Sequence, residues 1–385
     1  MIGKNVDEII EQDLQYLVNN SVLESKTIEY KQALSGNSDS EKKEFLADVS
    51  SFANASGGDL IYGINVNSDT GEPESLDGLA VQNVDNEIAR LENMIRDGIR
   101  PRISSVTVRS INLSNTNVVL IIRIPRSWNI PHRVIFKGHD KFYGRNSNGK
   151  YPLDVGELRT MFNLSETLAE KIRNFRENRI STIVANEGPV FLVDNPKIVL
   201  HLIPMSSFSP GQRYDISIAV DLVKRMELMN WSGWYYRYNL DGFLTHTTVK
   251  EEGAYNYMQL HKNGIIEKVD GRTIGKEKSL PNDDYEQKLM ESLKACLAFM
   301  SNLSVEVPIL LFLSLLDVKE CRMQFRGFLD QGHAIDRDML VLPEVIVEDY
   351  DMPVGDILKP CFDSIWNACG FARCFNYDEE GKRIK

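Results

Sequence analysis

The sequence lacks long apolar runs. The longest, residues 307–316, is interrupted by Pro308 and Ser314 and is too short to cross a bilayer. The first residues, MIGKNVDE, are polar and have no apolar stretch of the signal-peptide kind. Cysteine is sparse: five residues (Cys296, Cys321, Cys361, Cys369, Cys374), an odd number with no CxxC pair, which argues against a disulfide framework and reads as reduced thiols in a cytoplasmic protein. The six histidines form no HxH or HExxH pattern, which argues against a zinc centre of common spacing. A P-loop is absent as well. The nearest approach, GRTIGK at 271–276, is one residue short between its glycines and runs into Glu277 instead of a hydroxyl, so ATP binding of the P-loop type is not expected. No GxSxG elbow is present either.

What remains is an ordinary globular composition. The chain has 385 residues, 42% hydrophobic and 26% charged, enough for two or three domains. Its formal net charge of −11 argues against coating by nucleic acid over the whole surface, and leaves room for a local basic cleft.

Apolar periodicity predicts a helix near the N-terminus through Val6, Ile9, Ile10, Leu14, Leu17 and Val18. Residues 28–31 alternate as a strand with one wet face, which puts Glu29 and Lys31 on the same side. Ser38 to Glu41 reads as a helix cap, followed by an apolar face at Phe45, Leu46, Val49, Phe52 and Ala53, and Gly57-Gly58 ends that helix. A strand through Leu60, Tyr62, Ile64 and Val66 follows. Next come a helix through Val84, Ile88, Leu91 and Ile95, strands at 103–109 and 117–124, a hairpin over 134–145, and a capped helix through Phe162. The domain boundaries expected are an N-terminal helix at 1–20, a first domain at 21–163, a linking helix at 164–187 and a second domain at 188–385. The second domain is read as α+β, with strands near 197–203, 214–220, 234–238, 255–260, 264–269 and 307–316 and a helix near 285–300. Its aromatic group of Trp231, Trp234, Tyr235, Tyr236 and Tyr238 reads as core or interface.

The chemistry-bearing stretch is ESKTIEYK at 24–31, with FANASGGDLIYGI at 52–64. Two carboxylates beside a lysine at a strand edge suit a divalent ion and a phosphate-bearing ligand. Glu24 and Glu29 are an odd number of residues apart, so the chain must turn between them if they are to share an ion. The alternative is that the acids form ion pairs with Lys31 or nearby arginines.

As a pair of motifs at this spacing, these residues resemble the AlbA-like nucleic-acid domain of the Schlafen family and its bacterial relatives. The likeness runs from about residue 22 to 162. It implies an α+β domain with a mixed or antiparallel sheet, RNA or DNA as partner, and in some members metal-dependent cleavage of RNA, often tRNA, in phage defence. Carried over residue by residue, it implies Glu24 and Glu29 as metal ligands for Mg or Mn, with Lys31 on phosphate. The third acid of such nucleases falls just after the double-glycine strand. Here Asn65 and Asn67 stand at those places, and Asp69 or Glu72 would have to substitute; Asp69 is the third catalytic and metal candidate. Because this chain has one such lobe where mammalian Schlafens pair two, the resemblance also implies a homodimer.

A basic and aromatic patch completes the reading. Arg100, Arg102, Arg123, Arg126, Arg133, Lys137, Lys141, Arg145 and Lys150 lie among Trp128, His132, Phe136, Phe142 and Tyr143. Cations of this kind contact phosphates, and rings stack on bases. Arg102, Arg123, Arg133, Lys137, Tyr143, Arg145 and Lys31 are the nucleic-acid candidates. The expected function is a nucleic-acid-binding protein, either an endoribonuclease or a non-catalytic regulator whose C-terminal domain senses a partner.

Overall fold

The computed structural model describes every residue except 37, 68–69, 210, 219–233, 325–331 and 385. The chain divides into two compact units, residues 1–167 and 168–385. Both are α+β, as the sequence implied.

In the first unit, α1 (Glu11–Asn19) precedes strand β1 (Ile28–Lys31) and helix α2 (Asp39–Ala53). Strands β2 (Gly58–Tyr62), β3 (Ile64–Val66) and β4 (Pro73–Leu76) lead to helix α3 (Val84–Gly98). Six further strands follow: β5 (Ile99–Arg100), β6 (Thr107–Asn112), β7 (Val118–Ile124), β8 (Arg133–Phe136), β9 (His139–Asn146) and β10 (Gly149–Pro152). One sheet is mixed, in the order β1-β2-β7-β6, with β1 parallel to β2 and the other pairs antiparallel. The other is antiparallel, in the order β10-β9-β8-β5.

The period of two along β2 and β7 sorts the mixed sheet's side chains. Leu60, Tyr62, Leu120 and Ile122 face α2 and α3, whereas Ile61, Val119 and Ile121 pack with Leu14 and Leu17 of α1. An amphipathic helix would bury one stripe. Helix α2 instead buries every residue from Phe45 to Ala53, because the second sheet covers its other side.

The FANASGG segment shows why each residue type stands where it does. Asn54, at the C-cap of α2, donates Nδ2–H to the carbonyls of His132 and Tyr143, both at 2.9 Å, and accepts from the His132 amide at 2.6 Å. Gly57 has φ +70°, and a Cβ there would lie 2.6 Å from the Arg126 nitrogen. A Cβ at Gly58 would lie 2.4 Å from the Phe52 ring. Only glycine fits at either position.

One helix runs where two were expected. Helix α4 (Val155–Val184) is continuous, so residues 164–187 are not a separate linker. No glycine or proline breaks the chain between residues 157 and 187, and Leu158, Phe162, Ser165, Leu168, Ile172 and Phe175 keep one helical phase. The division between the two units falls inside this helix.

The second unit begins with β11 (Lys197–Pro204), β12 (Trp234–Tyr238), β13 (Gly242–Thr247), β14 (Asn256–His261), β15 (Ile266–Asp270) and β16 (Ser279–Pro281). Helix α5 (Asn282–Asn302) separates these from β17 (Ile309–Leu316), β18 (Arg322–Gln324), β19 (Met339–Val341) and β20 (Val345–Val347), and helix α6 (Val354–Ala368) follows. The main sheet runs β12-β13-β14-β15-β11-β17-β19, with β20 also on β17. Helices α5 and α6 cover one face over the largest core, including Leu289, Leu293, Phe362 and Trp366. Ile172, Phe175, Ile180 and Ile183 of α4 pack in the smaller clusters that include Val199, Leu244 and Phe312. The expected strand at 214–220 is absent where it is described: Ile216–Ile218 is a single 3-10 turn, and residues 219–220 lie outside the described residues, as does Trp231. All five cysteines are buried and unpaired. Among the described residues no helix is long and apolar enough to cross a membrane.

Candidate functional site

Glu29 and Lys31 share a face of β1, as their spacing requires, and that face lies under α2. Glu29 is 8% exposed. Its Oε1 lies 2.6 Å from Lys31 Nζ and its Oε2 2.6 Å from an Arg145 terminal nitrogen. Arg145, 5% exposed, stacks its guanidinium 3.9 Å from the centre of the Phe52 ring. Asp48, on the inner side of α2, meets Lys150 Nζ at 2.6 Å and Lys31 Nζ at 3.7 Å, and Lys150 also meets Glu44 at 2.5 Å. Three carboxylates and three cations thus form one network.

Burial alone would raise the Glu29 carboxyl, but Lys31 and Arg145 outweigh it and hold the group below its ordinary value. Asp48 goes the other way. Burial and the neighbouring Glu29 charge push it up to about 6, against the pull of Lys150 and Lys31. A raised carboxyl means that the folded state holds a proton the unfolded chain gives up near pH 4. Asp48 therefore contributes stability that is complete below pH 4 and lost as pH rises through 6. Asp48→Asn is expected to flatten that fall, read as the difference between urea midpoints at pH 4 and pH 6.5 for the two proteins. Equal differences would contradict it.

Glu24 lies elsewhere. The chain does turn between the two glutamates, with Ser25 and Ile28 bridged. The turn brings the exposed Glu24 alongside the open edge of β1, where Oε1 accepts the Tyr30 amide at 2.8 Å. Asn67 closes the β3–β4 loop by donating to Glu74 Oε1 at 2.6 Å and accepting the Thr70 amide at 3.0 Å. Asp69 lies outside the described residues. Among the described residues, no group of three or more His, Cys, Asp or Glu side chains could hold a metal ion.

A hard divalent cation needs several oxygen ligands with lone pairs turned to one point. Both oxygens of Glu29 and both of Asp48 already face ammonium or guanidinium groups, and one oxygen of Glu24 holds a backbone amide. The described carboxylates do not fit Mg or Mn, because an ion there would have to displace Lys31 and Arg145 from Glu29. No hydrolytic step follows from this arrangement.

The basic candidates divide by what they already hold. Arg123 is a clamp: its Nε and a terminal nitrogen grip Asp59 at 2.8 and 3.0 Å, and it donates to the carbonyls of Ile2 and Lys4. Lys31 and Arg145 belong to the network above. Lys137 pairs with Asp39 at 2.8 Å and Arg133 with Asp140 at 2.9 Å, both on the surface. The Tyr143 hydroxyl meets His139 Nε2 at 2.9 Å. Arg102 is exposed and has no ion pair or hydrogen bond among the described residues. Arg126 is exposed too, its guanidinium 4.3 Å from the centre of the Trp128 ring.

His132 ties the loop that carries Arg102 to the loop that carries Arg126. Its Nδ1 lies 2.8 Å from the Pro101 carbonyl, tying the loop after β5 to the loop before β8. Buried, with its other ring nitrogen unpartnered among the described residues, His132 is held below the ordinary imidazole value. The two segments, residues 99–106 and 124–133, carry Arg100, Arg102, Arg126 and Arg133 and no acid. Of the nucleic-acid candidates named from the sequence, Arg102 and Arg133 lie on these segments, and Arg145 lies in the Glu29 network.

Nineteen chains of known structure match. One is the DIP2311 protein from Corynebacterium diphtheriae, at 17% identity and a TM-score of 0.25, over 37% of this chain and 26% of that one. Another is the N-terminal domain of a putative ATP-dependent DNA helicase RecG-related protein from Nitrosomonas europaea, at 19% identity and a TM-score of 0.25, over 31% of this chain and 74% of that one. The chain therefore spans about a quarter of the first of these structures. No curated protein matches. Residues 24–154 match the family model described as Schlafen, AlbA_2, and the first unit of this chain accordingly carries a Schlafen AlbA_2 domain.

Proposed function

We propose that the first unit binds nucleic acid, as a non-catalytic module, through the loops at 99–106 and 124–133. The observation that carries this reading is the pair of acid-free loops, tied together by His132, that present Arg102 and Arg126 without an ion pair among the described residues, on a protein of net charge −11. A local positive field attracts phosphates whatever the overall charge. The AlbA_2 match supports the same partner class. The Glu29 network supports a scaffold and not a cutting centre, because its acids are matched by cations.

Binding of fluorescein-labelled RNA and DNA, followed by anisotropy across a salt series, tests the reading. Arg102→Ala is expected to weaken binding and to reduce the slope of log K against log salt by about 0.7 on single strands and 0.9 on duplex, one phosphate contact. An unchanged slope and affinity would remove Arg102 from the interface. Cleavage of tRNA by the wild-type protein in Mn²⁺ would favour the endoribonuclease reading instead.

A further inference from the structure

We propose that Arg126 and Trp128 form a stacking subsite for one unpaired base, so that the partner is a single strand and not a duplex; this rests on the nucleic-acid reading above. The tryptophan is only partly buried and belongs to none of the hydrophobic clusters of its unit. It does not serve as core. Its ring instead carries the exposed Arg126 guanidinium, a flat cationic layer over a flat indole, on the loop before β8.

That loop is held from both ends by the FANASGG segment. The Ser127 amide donates to the Ala53 carbonyl at 3.0 Å, and the Asn129 amide to Ser127 Oγ at 3.2 Å. At one end, the bare Gly57 backbone lets the chain press against the Arg126 nitrogen. At the other, Asn54 Oδ1 takes the His132 amide at 2.6 Å. A platform fixed in this way spends little ordering entropy when a ligand arrives. Arg102, on the neighbouring loop, supplies a cation for the adjoining phosphate.

The chemistry selects the partner. Within a duplex each base face is covered by its neighbours, so a protein ring cannot reach it without unstacking the helix. In a single strand every base offers a free face, and stacking on an aromatic side chain tolerates all four bases. The subsite is therefore expected to bind single-stranded RNA or DNA without strong sequence preference.

The test uses the full chain, a labelled twelve-nucleotide single strand of DNA or RNA, and the matching duplex. The wild type is expected to bind the single strands more tightly than the duplex. Trp128→Ala is expected to lose about tenfold on single strands, in the range set by one stacked base, and to keep its duplex affinity. Quenching of tryptophan fluorescence by the single strand is the second readout. It should be present in the wild type and reduced in Trp128→Phe, a variant that keeps an aromatic ring and does not depend on the alanine variant's folding. Equal binding of single strand and duplex, with Trp128→Ala unaffected and the quench unchanged in Trp128→Phe, would overturn the subsite and leave nucleic-acid binding standing. Failure of the wild type to bind any of the strands would overturn both.

Discussion

Replacing Glu29 by alanine is expected to cost the first unit about 3–5 kcal/mol, the range for breaking a buried ion pair from one side. Arg145 is 5% exposed and lies against Phe52; its described carboxylate partner is Glu29, and its Nε already lacks an acceptor. Without Glu29 its charge stays in a largely buried site with no carboxylate facing it among the described residues. Lys31 loses its closest partner at the same time and, among the described residues, keeps Asp48 at 3.7 Å. Glu29→Gln should cost less, since the amide oxygen still accepts from one cation. Urea denaturation of the wild type and both variants measures the order. If Glu29→Ala melted like the wild type, Arg145 would not depend on this carboxylate. The result also bears on functional assays, since any activity lost in Glu29→Ala has to be separated from lost folding by a melt.

The second unit has a counterpart of similar size. Glu267, on β15, is fully buried and receives Arg179 at 2.7 and 2.8 Å, His201 Nε2 at 2.9 Å and the Tyr257 hydroxyl at 2.8 Å. Burial would raise its carboxyl, but Arg179 and His201 overcome that and hold it far below the ordinary carboxylate range. Glu267→Ala leaves a guanidinium, an imidazole and a phenol facing an empty space, and is expected to cost about 3–5 kcal/mol. Hydrogen exchange of the β11, β14 and β15 amides is the direct readout, and faster exchange there is the expected result. Protection equal to the wild type would mean that the other contacts of α4, among them Ile172, Phe175, Ile180, Ile183 and the Arg176 bond to Ser314 Oγ, hold it on this sheet without Glu267.

These two networks mark what could be read from the chain and what could not. Local signals were plain. The alternation at 28–31 put Glu29 and Lys31 on one face, the Ser38–Glu41 cap started α2, and Gly138 sat in the β8–β9 hairpin. Ion pairing of the acids with Lys31 or an arginine was the stated alternative to a metal, and Glu29 follows it, but that the arginine is Arg145 was not readable, because it depends on the whole second sheet folding across α2. The same gap led to the expectation of a shared metal: spacing showed that the chain must turn after Glu24, but not that the turn would spend the carboxylate on a strand edge. Helix α6 was not among the expected elements, and Pro360, which lacks an amide hydrogen, lies inside it. It runs through regardless, since Ile357, Leu358, Cys361, Phe362, Ile365 and Trp366 are all buried along one face. The short strands β18, β19 and β20, three residues each, are too brief for alternation to register.

Helix α2 is wrapped on both sides, so each of the two sheets of the first unit uses the same rod as its inner lining. Neither sheet owns a complete interior, and removing one strips the lining of the other. The mixed sheet and the hairpin layer consequently stand or fall together, and the arginine loops joining them inherit the rigidity of both.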